Sequence, residues 1–261
     1  MNYIIIPDLH GQYYKLLSLI KQFVKIENGI IKESKYKIIL LGDFIDKGPK
    51  EEQIKLTEFI YNNLKQIYLV LGNHEEGSFK TLKGFDESNV LDFNKSLSPY
   101  YKNHFVPIAI DNPELKEIFY EIYSKMFRII ETEHIICTHS PCLIEHIKEG
   151  SSLVTKYSYP RKKDFKKEED FINYMDKFIL EITKDSEHSK LHFSGHLEIG
   201  QVIKNNNQIW LDTNSKVLLT IAVINEGNLL FYNEKGLDLN VFKENCPVKV
   251  KEFIFEKLKM G

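Results

Sequence analysis

Arginine, cysteine and long apolar runs are scarce in this chain of 261 residues. Only two of its 35 basic residues are arginine, Arg128 and Arg161, so each arginine carries more weight as a candidate functional residue than any single lysine. The three cysteines are too few and too scattered for a disulfide framework, and they favour a reducing compartment. No run approaches the roughly 18 to 20 apolar residues that span a bilayer. These absences argue against a disulfide-rich secreted protein and a membrane protein.

Charge and length narrow the class further. The net charge of −2 argues against a protein that mainly coats nucleic acid. With no clear linker or repeat, residues 1–261 are expected to form a single domain with a sizeable core. The N-terminus has no basic segment typical of a signal peptide, so we expect a cytoplasmic protein. The sequence leaves the oligomeric state open.

Short runs rich in Ile and Val alternate with helical patterns. The runs end in glycine or polar turns and predict buried strands at residues 3–6, 36–41, 67–71, 135–137 and 191–193. Apolar periodicity predicts helices at 16–23, 54–64, 113–127 and 165–183. After residue 200 the pattern changes to short strands at 208–211, 217–224 and 229–232, the last two forming a hairpin. Strands that alternate with helices predict an α/β layered fold.

Each of the first five predicted strands is followed by at least one side chain that can bind a metal ion. The side chains are Asp8, His10, Asp43, Asn73, His139 and His196. Ligands of α/β sheets bind at the carboxyl ends of the strands, so these residues are expected to converge. Carboxylate, imidazole and amide donors together suit divalent ions such as manganese, iron or zinc.

The same positions lie in motifs that resemble a known family. The motifs are Asp-Leu-His-Gly from residue 8, Gly-Asp-Phe-Ile-Asp-Lys-Gly from residue 42, Gly-Asn-His-Glu from residue 72, the turn at His139, and Gly-His at residue 195. Together they resemble the calcineurin-like metallophosphoesterases, within the branch of protein serine/threonine phosphatases and symmetrical diadenosine tetraphosphatases. The resemblance implies a four-layer α/β/β/α sandwich with a helical insert. Residues 77–133 are expected to form a helical cap over one edge of the crevice.

The resemblance also implies two divalent metal ions, most readily manganese, with iron and zinc as alternatives. Asp8 and His10 would hold the first ion, and Asp43 would bridge both. Asn73, His139 and His196 would complete the site of the second ion. Water bound between the ions would then attack phosphorus as hydroxide.

Two further pairs of residues acquire roles by the same resemblance. His74 would act as general acid, and Asp46 would hold it in its protonated form. Lys47 stands where the branch usually has arginine; it can bind phosphate as a point charge but not through two parallel hydrogen bonds. Arg161 is the candidate for a second phosphate contact, the alternative being an exposed residue at a helix start.

The leading functional hypothesis is hydrolysis of phosphomonoesters, with phosphoserine and phosphothreonine in proteins as substrates. One alternative is hydrolysis of a dinucleoside polyphosphate such as Ap4A, and another is hydrolysis of a nucleic-acid or cyclic-nucleotide phosphate. The expected partner is therefore a phosphorylated protein or nucleotide. A binding module without catalysis is disfavoured, because such a module has no need of a proton donor.

Overall fold

The computed structural model describes residues 2–88, 104–142, 147–148, 170, 190–196, 200–205, 207–237 and 242–243. The helices of this part of the chain are α1 Tyr13–Ile20, α2 Lys50–Asn62, α3 Asn73–Ser88, α4 Phe105–Asp111 and α5 Pro113–Ser124. Its strands are β1 Asn2–Ile6, β2 Ile26–Glu27, β3 Ile30–Ile31, β4 Tyr36–Leu40, β5 Ile67–Leu69, β6 Ile129–Glu131, β7 Ile135–Thr138, β8 Leu191–Ser194, β9 Ile203–Asn205, β10 Gln208–Trp210, β11 Thr220–Asn225, β12 Asn228–Asn233, β13 Gly236–Leu237 and β14 Phe242–Lys243.

Two mixed sheets of six strands form the centre of the molecule. The first sheet has the strand order β13-β12-β11-β1-β4-β5, and its strands β1, β4 and β5 are parallel. The second sheet has the order β14-β9-β10-β8-β7-β6, and its strands β7, β8 and β10 are parallel. In each sheet the carboxyl ends of the parallel strands therefore share one edge, where the loops can meet.

Along the strands of the first sheet, successive side chains point alternately into two different apolar cores. Ile4 and Ile6 of β1 belong to the core shared with helices α1, α2, α4 and α5. Tyr3 and Ile5 of the same strand belong to the core between the two sheets, which also contains Phe193 of β8. Successive side chains of a strand point to opposite faces, so the first sheet is covered on both sides. In the described residues the layers are therefore helices, first sheet and second sheet, which are three of the four layers of the predicted α/β/β/α sandwich.

Local signals explain where helix α5 begins. Asn112 accepts a hydrogen bond from the Leu115 backbone N–H, and Pro113 occupies the first turn. An asparagine cap followed by proline is a preferred helix start, because the side chain satisfies a free N–H and proline lacks one. Helices α3 to α5 form the helical insert in the described residues, while the expectation that residues 77–133 cap one edge of the crevice stays a prediction. No helix in the described ranges is long and apolar enough to cross a membrane.

The α/β fold class is confirmed. One predicted strand begins later than expected, and one predicted helix lies almost entirely outside the described residues. The strand predicted at 217–224 begins only at Thr220. Asn214 adopts a left-handed φ of 64° and its carbonyl accepts the N–H groups of Val217 and Leu218, so a turn replaces the start of the strand. The predicted helix at 165–183 lies outside the described residues apart from residue 170. The single-domain organisation stays a prediction.

Candidate metal centre

Five residues in the loops after the strands have a backbone in the left-handed conformation. The φ angles are 44° at His10, 50° at Asp43, 65° at Asp46, 61° at Lys47 and 66° at His196. Residues other than glycine rarely adopt this conformation, which costs on the order of 1 to 3 kcal/mol at each position and is found at functional sites. The surrounding hydrogen bonds must therefore hold these loops in place.

A group of donor atoms surrounds Asp43 on the side of the second sheet. Asp43 Oδ1 lies 3.5 Å from His139 Nε2. The same nitrogen lies 3.0 Å from Asn73 Oδ1 and 3.1 Å from His196 Nδ1. The ligand atoms of Asp43, His139 and His196 all lie within 4.8 Å of one another. The four residues predicted around the second metal ion are thus brought together.

A second group lies on the side of the first sheet. His10 Nε2 lies 4.0 Å from Asp8 Oδ2. The ligand atoms of His10, Asp43 and His74 lie within 4.8 Å of one another, so Asp43 belongs to both groups. All six predicted ligand residues therefore meet at one edge of the two sheets. A carboxylate between two donor groups can bridge two cations.

The histidine rings are oriented so that they can bind metal ions. Nδ1 of His139 lies 2.7 Å from the carbonyl oxygen of Leu41, and Nδ1 of His10 lies 3.2 Å from that of Ile45. A carbonyl oxygen only accepts, so each Nδ1 carries the proton in these bonds. When such a ring is neutral, it presents the lone pair of Nε2 to the site, as in metal centres whose histidines are held by a carbonyl. The donor set fits a pair of divalent ions.

Two glycines of the motifs bring backbone close to the carboxylates. A Cβ atom at Gly195 would collide with the Asp8 carboxylate, and one at Gly72 would collide with the Asp43 carboxylate. The N–H of His196 next to Gly195 donates to Asp8 Oδ1 at 3.0 Å. Glycine is therefore required at both positions by close packing against the site.

Glu75 is a structural element of the site that the sequence analysis did not assign. Its buried carboxylate accepts backbone N–H bonds from Asp43 at 2.8 Å, Phe44 at 2.9 Å and Ile45 at 3.3 Å. Burial and the nearby charge of Asp43 raise the pKa of Glu75 to about 7. Its place as the last residue of Gly-Asn-His-Glu was the signal that could have identified it.

Gln53 supports the next part of the same loop, and it too was missed. Its side-chain oxygen accepts the N–H of Asp46 at 2.9 Å, and its amide nitrogen donates to the Gly48 carbonyl at 2.8 Å. Gln53 is buried on helix α2, on a helix face that also buries Leu56, Thr57 and Ile60. A glutamine at a helix position gives no signal of this role in a single sequence.

The site concentrates opposite charges in a buried volume. Burial raises the pKa of Asp43, but the positive charges of His139 and His74 outweigh it and hold that pKa well below its usual value. Burial lowers the pKa of His139, yet Asp43 and Asp8 raise it to about 10. For Asp8, burial and the carboxylate of Asp212 raise the pKa well above its usual value. Strongly shifted groups in one place indicate a functional site.

His74 and Asp46 form a close pair beside this cluster. His74 Nδ1 lies 2.5 Å from Asp46 Oδ2, and the His74 backbone N–H donates to Asp43 Oδ1 at 2.9 Å. Burial lowers the pKa of His74, but Asp43 and Asp46 raise it to about 9. Burial raises the pKa of Asp46, but hydrogen bonds from His104 and His74 outweigh it and hold the pKa below its usual value. At neutral pH the metal-free pair is therefore an imidazolium and a carboxylate.

The helical insert contacts this pair directly. Asp46 Oδ1 accepts the backbone N–H of Phe105 at 2.6 Å, and His104 Nδ1 lies 3.4 Å from Asp46 Oδ2. His104 stands 58 positions after Asp46 and belongs to no motif, so its contact with Asp46 could not be predicted from the sequence. The insert thus reaches the site at the residue that orients His74.

The structure describes one of the two predicted phosphate-binding residues. Lys47 Nζ lies 2.8 Å from His10 Nε2, so its ammonium group reaches the donor cluster. Arg161 lies outside the described residues.

Comparisons with known proteins agree with this geometry. A family model for calcineurin-like phosphoesterases matches residues 1–222. The zinc-dependent endopolyphosphatase of Saccharomyces cerevisiae is 40% identical over 74 residues, 28% of this chain and 21% of that protein. Serine/threonine-protein phosphatase 5 of Solanum lycopersicum is 27% identical over 137 residues, 52% of this chain and 20% of that protein. The matches thus span about a fifth of these two relatives.

A solved structure supports the fold. The crystal structure of a cold-active protein-tyrosine phosphatase from a psychrophilic Shewanella species superposes with a TM-score of 0.59 at 19% sequence identity. The superposition covers 90% of this chain and 78% of that one. The family model covers most of the chain, including every motif from Asp8 to His196. The chain belongs to the calcineurin-like phosphoesterase family, whose members hydrolyse phosphoric esters.

Proposed function

We propose that this chain is a two-metal phosphomonoesterase that acts on phosphoserine and phosphothreonine in proteins. The observation that carries the proposal is the position of Asp43 in two groups of donor atoms, one with His10 and His74 and the other with His139 and His196. In the first group His74 is also paired with Asp46. Similarity to serine/threonine-protein phosphatase 5 over 52% of the chain supports this substrate class.

Six side chains would hold the two ions. Asp8 and His10 together with Asp43 would hold one ion, and Asp43, Asn73, His139 and His196 would hold the other. Two bound cations offset the charge of a phosphoryl group and lower the pKa of water. Manganese suits this mixture of carboxylate, amide and imidazole donors. Zinc is the alternative supported by the printed name of the yeast endopolyphosphatase.

His74 would supply the proton that the leaving group needs. Its Nδ1 is bound to Asp46, so the proton available for transfer is the one on Nε2, which lies 3.7 Å from Asp43 Oδ2. In the reaction, water attacks phosphorus and the bond from phosphorus to the leaving oxygen breaks. His74 donates its Nε2 proton to that oxygen, and the products are an alcohol and inorganic phosphate.

Lys47 would bind a phosphate oxygen. Its ammonium group lies within the donor cluster, 2.8 Å from His10 Nε2. Arg161 is proposed as a second phosphate ligand on the strength of its position in the sequence alone.

A panel of substrates tests the proposal. The chelated protein is reloaded with manganese and assayed on a phosphothreonine peptide, Ap4A and a cyclic nucleotide. We expect metal-dependent release of phosphate from the peptide at the highest kcat/KM. Preferential cleavage of Ap4A would instead favour the phosphoanhydride alternative, which the match to an endopolyphosphatase supports. Absence of metal-dependent activity on all three would contradict both.

A further inference from the structure

Asp46 is held at its backbone and at both oxygens of its carboxylate. Its N–H donates to the side-chain oxygen of Gln53 at 2.9 Å. Its Oδ1 accepts the N–H of Phe105 at 2.6 Å. Its Oδ2 lies 2.5 Å from His74 Nδ1 and 3.4 Å from His104 Nδ1. The residue is 3% exposed, so these contacts lie in a medium where hydrogen bonds are stronger than in water.

Two of these contacts come from consecutive residues of the helical insert. Phe105 begins helix α4, is fully buried, and packs its ring against Phe119 with 4.9 Å between the ring centroids. His104 directly precedes it and has an extended backbone with a φ of −83° and a ψ of 149°. The buried ring of Phe105 therefore anchors the backbone of His104 beside Asp46.

His104 and His74 share one oxygen of the carboxylate. The Nδ1 atoms of both rings face Asp46 Oδ2, and both residues line the same cleft of about 210 Å³. A carboxylate oxygen has two lone pairs, so Oδ2 can accept from both rings at once. Rotation of the carboxylate about the Cβ–Cγ bond would break its contacts with both residues of the insert. The insert thus fixes the plane of the carboxylate.

That plane determines where the proton of His74 points. Nδ1 of His74 is bound to Asp46, so the direction of Oδ2 sets the orientation of the ring and of Nε2 at its opposite side. A general acid must lie within hydrogen-bond reach of the leaving oxygen, and an error of about 1 Å in its position can lower the rate on the order of 100-fold. A residue that holds the carboxylate can therefore affect the rate without contacting the substrate.

We propose that His104 is a positioning residue of the reaction, which fixes the Asp46 carboxylate and through it the His74 ring that protonates the leaving oxygen. This inference rests on the proposed function, because it requires His74 to act as general acid. His104 would act on proton transfer and not on metal binding. Replacing it should therefore slow the reaction most for leaving groups that need a proton.

The experiment compares two variants of His104 with a matched control. H104L removes the donor that faces Asp46, H104N keeps an N–H close to the position of Nδ1, and H134L replaces an exposed histidine outside the site. All are manganese-loaded and assayed on ethyl phosphate and p-nitrophenyl phosphate. We expect H104L to lower kcat about 10-fold on ethyl phosphate and no more than about twofold on p-nitrophenyl phosphate, whose leaving group needs little protonation. KM and metal content should stay unchanged.

The conservative variant and the control distinguish positioning from a general loss of structure. H104N should restore kcat on ethyl phosphate to within about threefold of the unsubstituted protein, because the amide can donate to Oδ2. H134L should change neither substrate. The Tm of each variant is measured, and if H104L lowers it, H104A replaces H104L in the same comparison.

A double variant tests whether His104 acts through His74. H74N/H104L should be no slower on ethyl phosphate than H74N alone, because the ring that His104 helps to orient is already absent. If H104L slows both substrates equally, or if its 10-fold loss is added in full to that of H74N, the positioning role is overturned while the proposed function stands. If the unsubstituted protein releases no phosphate from either ester with manganese present, the proposed function fails and the role of His104 with it.

Discussion

The two sheets hold their site residues in different ways. On the first sheet, the loop of Asp43 is held by the start of helix α3, which follows the neighbouring strand β5, since Glu75 accepts three successive backbone N–H groups. On the second sheet, the residues depend on the first: His139 is held by the Leu41 carbonyl, and the His196 N–H donates to Asp8. The first sheet is therefore the framework of the centre, and the second sheet supplies imidazoles to it.

This difference predicts that substitutions of ligand residues in the two sheets have unequal effects on metal binding. A change at Asp43 affects both groups of donors, whereas a change at a histidine of the second sheet affects one. The apolar core between the sheets, which includes Ile5, Leu41 and Phe193, fixes their separation and thus the distance between the two sets of ligands. Substitutions in the two sheets test this difference.

The largest effect is expected from D43N. Loss of the shared carboxylate should abolish binding of both ions and lower kcat/KM by roughly 10³-fold or more. H196N should remove only the second ion, and D111N, at an exposed carboxylate outside the site, should change nothing. The metal content of purified protein, measured by mass spectrometry, distinguishes the three. If D43N retained two ions, the claim that both ions depend on the Asp43 carboxylate would be contradicted.

A smaller loss is expected from H74N, because this residue contributes a proton rather than a metal ligand. Turnover of an alkyl phosphate should fall by about 10²- to 10³-fold while the metal content stays near normal. The loss on p-nitrophenyl phosphate should be smaller, since its leaving group needs little protonation. H134N, at an exposed histidine, serves as the control. Full activity of H74N on the alkyl ester would exclude His74 as the general acid.

E75Q tests whether Glu75 supports the loop that holds Asp43 at the end of the first sheet. Glutamine keeps one acceptor oxygen but places an NH₂ group near backbone donors, so the free energy of unfolding should fall by about 2 kcal/mol. Metal affinity should fall by about 10- to 100-fold, as for residues that orient metal ligands. E76Q changes the adjacent surface carboxylate and should affect neither quantity by much. Equal metal affinity of the two variants would contradict the supporting role of Glu75.

The smallest effect concerns the titration of His74 in the metal-free protein. Its pKa of about 9 lies above the usual 6.5, so the stabilisation it provides is fully present below about pH 6.5 and is lost as the pH rises through about 9. In D46N the pKa should fall by about 1 to 3 units, because one attractive carboxylate is removed. NMR titration of the histidine rings measures both values. An unchanged pKa in D46N would contradict the pairing.

The sequence predicted the parts of the molecule that depend on local patterns. Strand ends followed by Asp, His or Asn placed the six candidate ligands, because parallel strands bring their carboxyl ends to one edge. Glu75 and His104 escaped prediction because they act on the backbone or the carboxylate of residues about 30 and 58 positions away. The left-handed backbone at His10 and Asp43 could not be predicted from the sequence either, because tertiary contacts impose this conformation on such residues.

Anomalous scattering from crystals of the manganese-loaded protein tests the bridging role of Asp43 most directly. We expect two peaks about 3.5 to 4 Å apart, one among Asp8, His10 and Asp43 and the other among Asp43, Asn73, His139 and His196. A map with no peak among these side chains, or with a single peak that Asp43 does not contact, would contradict the two-metal centre.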